Sequence, residues 1–77
     1  MDELAEGLAR LAQEVESEDP VDWGMLAVDE ETTYRLMAAS IVEQFGRPQT
    51  DRELILMATV IKLVVENFVL NLKSMTN

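Results

Sequence analysis

Residues 54–72 read LILMATVIKLVVENFVLNL, and 14 of these 19 positions are apolar. Only Thr59, Lys62, Glu66, Asn67 and Asn71 interrupt the run. A start signal stands just before it. Thr50-Asp51-Arg52-Glu53 has capping-box spacing, in which the Thr50 hydroxyl and the Glu53 carboxylate each satisfy the other's backbone N–H. The stretch therefore predicts a helix over about 50–75. Stepped at about 100° per residue, its apolar side chains fall on two faces. The broad one carries Leu54, Met57, Ala58, Ile61, Val64, Val65, Phe68, Leu72 and Met75, and is expected to pack on the rest of the chain. The second carries Leu56, Val60, Leu63, Asn67 and Leu70, at alternating steps of four and three. Arg52, Thr59, Lys62, Glu66 and Lys73 are expected to mark a solvated strip between them.

A helix that is apolar on two sides is either wrapped by its own protein or shared with a second copy. The chain has only 77 residues, near the size at which one core becomes marginal without a staple. It has no cysteine for disulfides and no histidine, so the second face is expected to be a homodimer seam. Leu56, Leu63 and Leu70 recur every seven residues, as d positions do, with Val60 and Asn67 between them. A single polar residue in such a row sets register at some cost in stability. The competing arrangement tucks this face beneath Trp23 and Met25 of the linker.

Working back along the chain, Asp29 is a plausible N-cap for a helix over about 29–45, with Glu30 and Glu31 in its first turn. Tyr34, Met37, Ala38, Ile41, Val42 and Phe45 share one side of it. Gly46 suits a left-handed position past its end, and Pro48 prevents continuation. A first helix over about 2–17 carries Leu4, Leu8, Leu11 and Val15 as a narrow stripe flanked by Ala5 and Ala12. Asp2, Glu3 and Glu6 oppose its dipole, and Gly7 offers room for a close neighbour at the stripe's border. Glu18-Asp19-Pro20 stops it, leaving an apolar linker over 18–28 with room for a short helical turn from Val21 to Leu26. Trp23 reads either as a plug for one end of the bundle or as an exposed anchor for a partner. The expected architecture is one all-α domain, a three-helix subunit paired into a homodimeric bundle.

The formal charge is −9, and it is unevenly placed. Residues 1–31 hold 11 carboxylates against Arg10, whereas 32–77 hold 4 against 5 Lys and Arg. Direct nucleic-acid binding is not expected, because phosphate contacts need clustered cations. The acidic N-terminus lacks the positive start and apolar run of a signal peptide. Lys62 and Glu66, mid-run, would each cost about 2.5–3.5 kcal/mol at a bilayer centre. A cytoplasmic protein outside the membrane is the expectation.

Catalytic and metal-binding chemistry has little to work with. The commonest general base and metal ligands are missing with His and Cys. Ser40 has no activating neighbour at helical spacing, and Glu14 with Glu18 lacks the Glu-x-x-His half of a di-iron bundle. Pro20 and Trp23 break the acidic run 16–24 as a calcium loop, and three scattered glycines make no phosphate loop. No enzyme activity, cofactor or metal is expected.

The leading functional expectation is a small acidic adaptor or regulatory subunit. It would pair with itself and present Glu3, Glu6, Glu14, Asp19, Asp22 and Trp23 to another protein, of basic character. One alternative is a nucleic-acid-mimicking inhibitor of a basic nucleic-acid-binding protein, of the phage or anti-defence type. Another is a bundle that carries an apolar ligand among its Met-rich faces.

Overall fold

A computed structural model of the chain describes residues 3–76 and consists of three helices: α1 (Glu3–Glu18), α2 (Glu30–Phe45) and α3 (Asp51–Thr76). No strand occurs among the described residues. Met1, Asp2 and Asn77 lie outside them. The expected helix limits hold to within a residue, and the all-α class is as expected.

The caps explain those limits. The Asp29 carboxylate accepts the Thr32 N–H at 2.9 Å, while the Thr33 hydroxyl donates to the Asp29 carbonyl at 2.9 Å. These bonds occupy donors that an uncapped helix leaves open. At the start of α3 the Thr50 hydroxyl accepts the Glu53 N–H at 3.1 Å, as the capping box requires. The returning bond differs from expectation: the Glu53 carboxylate takes the N–H of Gln49, at 3.4 Å, one residue earlier than Thr50. Helix α2 ends where the Gly46 N–H bonds the Val42 carbonyl at 2.8 Å. Gly46 has φ 81° and ψ −170°. That is an extended positive-φ conformation open essentially to glycine alone, rather than the left-handed helical one expected.

Helix α1 lies against both other helices, whereas α2 and α3 touch each other least. Its contact line is Ala5, Leu8, Ala9 and Ala12, with Leu4 and Leu11 partly buried beside it. The stripe is thus centred on alanines, which let neighbouring backbones come close. Gly7 has no neighbour within 4 Å of where a Cβ would stand, so it gives no close approach. From α2 come Tyr34, Ala38 and Ile41, and from α3 come Ala58, Ile61, Val65 and Val69. Val21 of the linker closes the list.

The buried line of α3 is turned by about 50° from the expected one, toward Val69 and Lys62. Met75, expected inside, is 81% exposed. Lys62, expected in the solvated strip, is 1% exposed. Long cationic side chains can lie along apolar surface, but they become fully buried only when the charge is paired. Here Asp19 and Glu66 supply the pairing, at 2.9 and 3.5 Å. The linker makes no helical turn. Trp23 to Leu26 forms a reverse turn closed by a 3.3 Å backbone bond, with Gly24 at φ 61°.

Five of the twelve apolar core residues are alanine, leaving seven larger ones. Nine large apolar residues lie exposed: Met25, Leu36, Phe45, Ile55, Leu56, Val60, Leu63, Leu70 and Met75. Among the described residues nine further large apolar side chains, such as Leu4, Met37 and Val64, pack partly buried against that core, so the exposed set is a minority but a large one for so small a fold. Scattered exposed leucines are ordinary; a contiguous set is informative.

Candidate interaction surface

Leu56, Val60, Leu63 and Leu70 are between 40% and 60% exposed, and Asn67 is exposed among them. The five residues read from spacing as one row do lie outside the intrachain core. The linker does not cover them, since Met25 is 101% exposed and Trp23 is engaged elsewhere. Beside the upper part of this row a hollow of about 260 Å³ opens between the end of α2 and the start of α3. Ile41, Phe45, Leu56, Met57 and Val60 give it an apolar lining, with Pro48 closing one side and Arg47 and Glu53 at its edge. Phe45 is 68% exposed there. The loose α2–α3 contact leaves this hollow open, and spacing within one helix could not have revealed it.

A second surface is polar and lies over α1 and the linker. Glu3 and Glu14 are exposed and Glu6 is half-buried. Glu6 lines a hollow of about 120 Å³ between α1 and α2 with Ala9, Arg10, Gln13, Glu31 and Arg35. The Nε of Arg35 is buried and has no bonding partner. The other acidic candidates have partners within the chain: Asp19 meets Lys62, and the Asp22 carboxylate accepts from Lys73 at 2.9 Å. That lysine bond, first of all, holds Asp22 below the usual carboxylate range. The same linkage raises Lys62 above its ordinary value, chiefly through the bond to Asp19 and against the opposing effect of burial.

Trp23 occupies a place between core and surface. Its indole N–H donates to one oxygen of Glu16 at 3.1 Å, and the Tyr34 hydroxyl donates to the other at 2.5 Å. The two rings sit 6.3 Å apart at 52°, within the range of favourable tilted aromatic pairs. Burial, followed by the Glu16 carboxylate, pushes the Tyr34 phenol well above its ordinary value. Glu16 escaped the sequence reading because it resembles its solvated neighbours. Its only signal was position, since residue 16 falls one turn beyond Ala12 on the inward side of α1.

Both lysines that tie the linker come from α3, so the acidic segment is clasped onto the helix that also carries the apolar row. Among the described residues no group of three or more His, Cys, Asp or Glu is placed to hold a metal ion. No helix among them is long and apolar enough to cross a membrane. Set against protein-family models, curated proteins and solved structures, the chain matches none.

Proposed function

We propose that this chain is a small acidic, non-catalytic protein–protein interaction module that acts as a homodimer through the outer face of α3. The single observation that carries the reading is the uncovered row Leu56, Val60, Leu63 and Leu70 with Phe45 beside it, a contiguous apolar set that no other part of the described chain covers.

The magnitudes allow a second copy as the occupant, because self-pairing doubles the contribution of each residue. Burying a Val, Leu or Phe side chain completely is worth about 1.5–3 kcal/mol. Half-exposed side chains therefore hold about 1 kcal/mol each, on the order of 5 kcal/mol for these five. An isologous contact uses every residue twice, which gives about 10 kcal/mol against an association cost of about 4–15 kcal/mol. The row from Leu56 to Leu70 is about 22 Å long and about 10 Å wide, on a helix about 39 Å long in all. With the α2–α3 hollow beside it, it makes a contact smaller than the ~800 Å² per partner of a standard interface, of the size of a weaker dimer. Asn67 in the row suits a role in register rather than in strength.

Such a dimer leaves α1 on its outside. Glu3, Glu6 and Glu14, with the linker acids and the edge of Trp23, form the surface we assign to a second, basic protein. The test is the solution mass by light scattering over a dilution series, for the native chain and Leu63→Glu. The native protein is expected near twice 8.7 kDa. The variant is expected at the monomer mass with its helical circular dichroism intact, because Leu63 takes no part in the intrachain core. A native chain that is monomeric throughout, or a variant that stays dimeric, would overturn the proposal.

A further inference from the structure

We infer that the two copies pair antiparallel along α3, with the two-fold axis passing beside Leu63. This rests on the dimer reading above and names how its partner is seated. One feature of the face permits that seating and two favour it.

The first is symmetry. Leu56 and Leu70 each stand seven residues from Leu63. A two-fold at Leu63 therefore places Leu56 of one copy against Leu70 of the other, so the leucines still meet leucines, as they also would in a parallel pair, while Val60 meets the aliphatic part of Glu66. The second is the hollow. It lies beside Leu56 and Val60, toward the start of α3, while the opposite end of the row carries Leu70, 60% exposed. In the antiparallel arrangement each Leu70 projects toward the hollow of the other copy. A parallel arrangement leaves Leu70 far from either hollow, and about 260 Å³ on each side stays unfilled by it, a loss of dispersion contacts at one end of the interface.

The third is charge. Arg52 is one turn before Leu56 on the same face, is exposed, and makes no ion pair among the described residues. Parallel helices would bring the two Arg52 guanidinium groups, and the positive ends of both α3 dipoles, to one end of the dimer. Antiparallel helices put Arg52 opposite Ser74 of the second copy, in the last turn of its α3. There the unpaired carbonyls present negative charge. The polar residue of the row is also accommodated. Asn67 falls opposite Thr59, since both are four residues from the two-fold. The Thr59 hydroxyl donates to its own Ile55 carbonyl at 2.9 Å and keeps acceptor capacity for the Asn67 amide.

The experiment uses the absence of native cysteine. Ser74→Cys and, separately, Asn71→Cys are spin-labelled at exposed sites, and the distance between the two labels of the dimer is read by double electron–electron resonance. With a rise of 1.5 Å per residue on each side of Leu63, the antiparallel pair is expected near ~33 Å at position 74 and ~24 Å at position 71. Strong dipolar broadening of the continuous-wave spectrum at both sites, the sign of labels about 10 Å apart on neighbouring parallel helices, would overturn the antiparallel seating and leave the dimer standing. Absence of a dipolar signal together with a monomer mass on the same sample would overturn both.

Discussion

Cutting the Lys62–Asp19 bridge from its two ends is expected to have unequal effects, and the difference follows from burial. The Lys62 ammonium sits on a side chain 2% exposed, whereas the Asp19 side chain is 81% exposed. Asp19→Ala removes the nearer partner and leaves a buried cation with Glu66 alone, at 3.5 Å. Stranding a buried charged group costs several kcal/mol when nothing remains beside it. With Glu66 retained, about 1–2 kcal/mol is the expected loss. At about 4–8 °C per kcal/mol for a domain of this size, Tm should fall by roughly 5–15 °C. Lys62→Met makes the opposite cut. It keeps the aliphatic stem in place, removes the buried charge, and frees a carboxylate that water already reaches. Replacing a buried ion by an apolar group of similar volume is often neutral or stabilising, so its change should stay within about 1 kcal/mol. Thermal melts followed by circular dichroism at matched protein concentration decide the matter. If Lys62→Met proves the more destabilising of the two, or if Asp19→Ala melts with the native protein, the account of Lys62 as a buried cation held by the linker is wrong.

Two further outcomes are expected. Thr50→Ala deletes the acceptor for the Glu53 N–H and should cost about 0.5–2 kcal/mol, read as a lower Tm; an unchanged melt would remove Thr50 from the cap. The alkaline limb of stability should fall early, because Tyr34 and Lys62 both titrate above their ordinary values of 10.0 and 10.5 in the folded chain. Below pH 10 both states hold these protons and the contribution is complete. Above it the unfolded chain releases them first, so stability declines as pH rises. Urea midpoints from pH 8 to 11 should show that decline, and Tyr34→Phe should lessen it; a flat profile in the native protein would contradict the burial of Tyr34 and the Lys62–Asp19 bond.

Legibility in the sequence followed physical locality. Asp29, Thr50 and Gly46 act through neighbours within four residues, and their roles as helix limits could be read directly. The row Leu56, Val60, Leu63 and Leu70 was also legible, because period alone separates it from Ile61 and Val65 on the same helix. Lys62 was not. Its burial depends on Asp19, 43 residues away, and a lysine considered only with its helical neighbours reads as solvated. The turn of α3 that buries Val69 and exposes Met75 brings Lys62 to the same inward side. Glu16 was hidden for a similar reason, since its two bonds go to a linker tryptophan and an α2 tyrosine. The hollow at Phe45 belongs to two helices together, so no pattern along either one encodes it.

The sparse contact between α2 and α3 bears on how the chain acquires its structure. These two helices are joined by a short loop, and closing it demands little chain entropy. Yet that hairpin gains little from forming, because most of the packing belongs to α1. Its alanine line must meet residues of α3 some fifty positions downstream, such as Ala58 and Ile61. The rewarding contacts are thus the non-local ones, and the rate-limiting event should be the arrival of α1 on a hairpin that is only transiently assembled. Partial structures have little to hold them, so the protomer is built to fold as one cooperative unit. A chain emerging during synthesis must in addition wait for α3, which is made after α1 and α2, before α1 has its full set of neighbours.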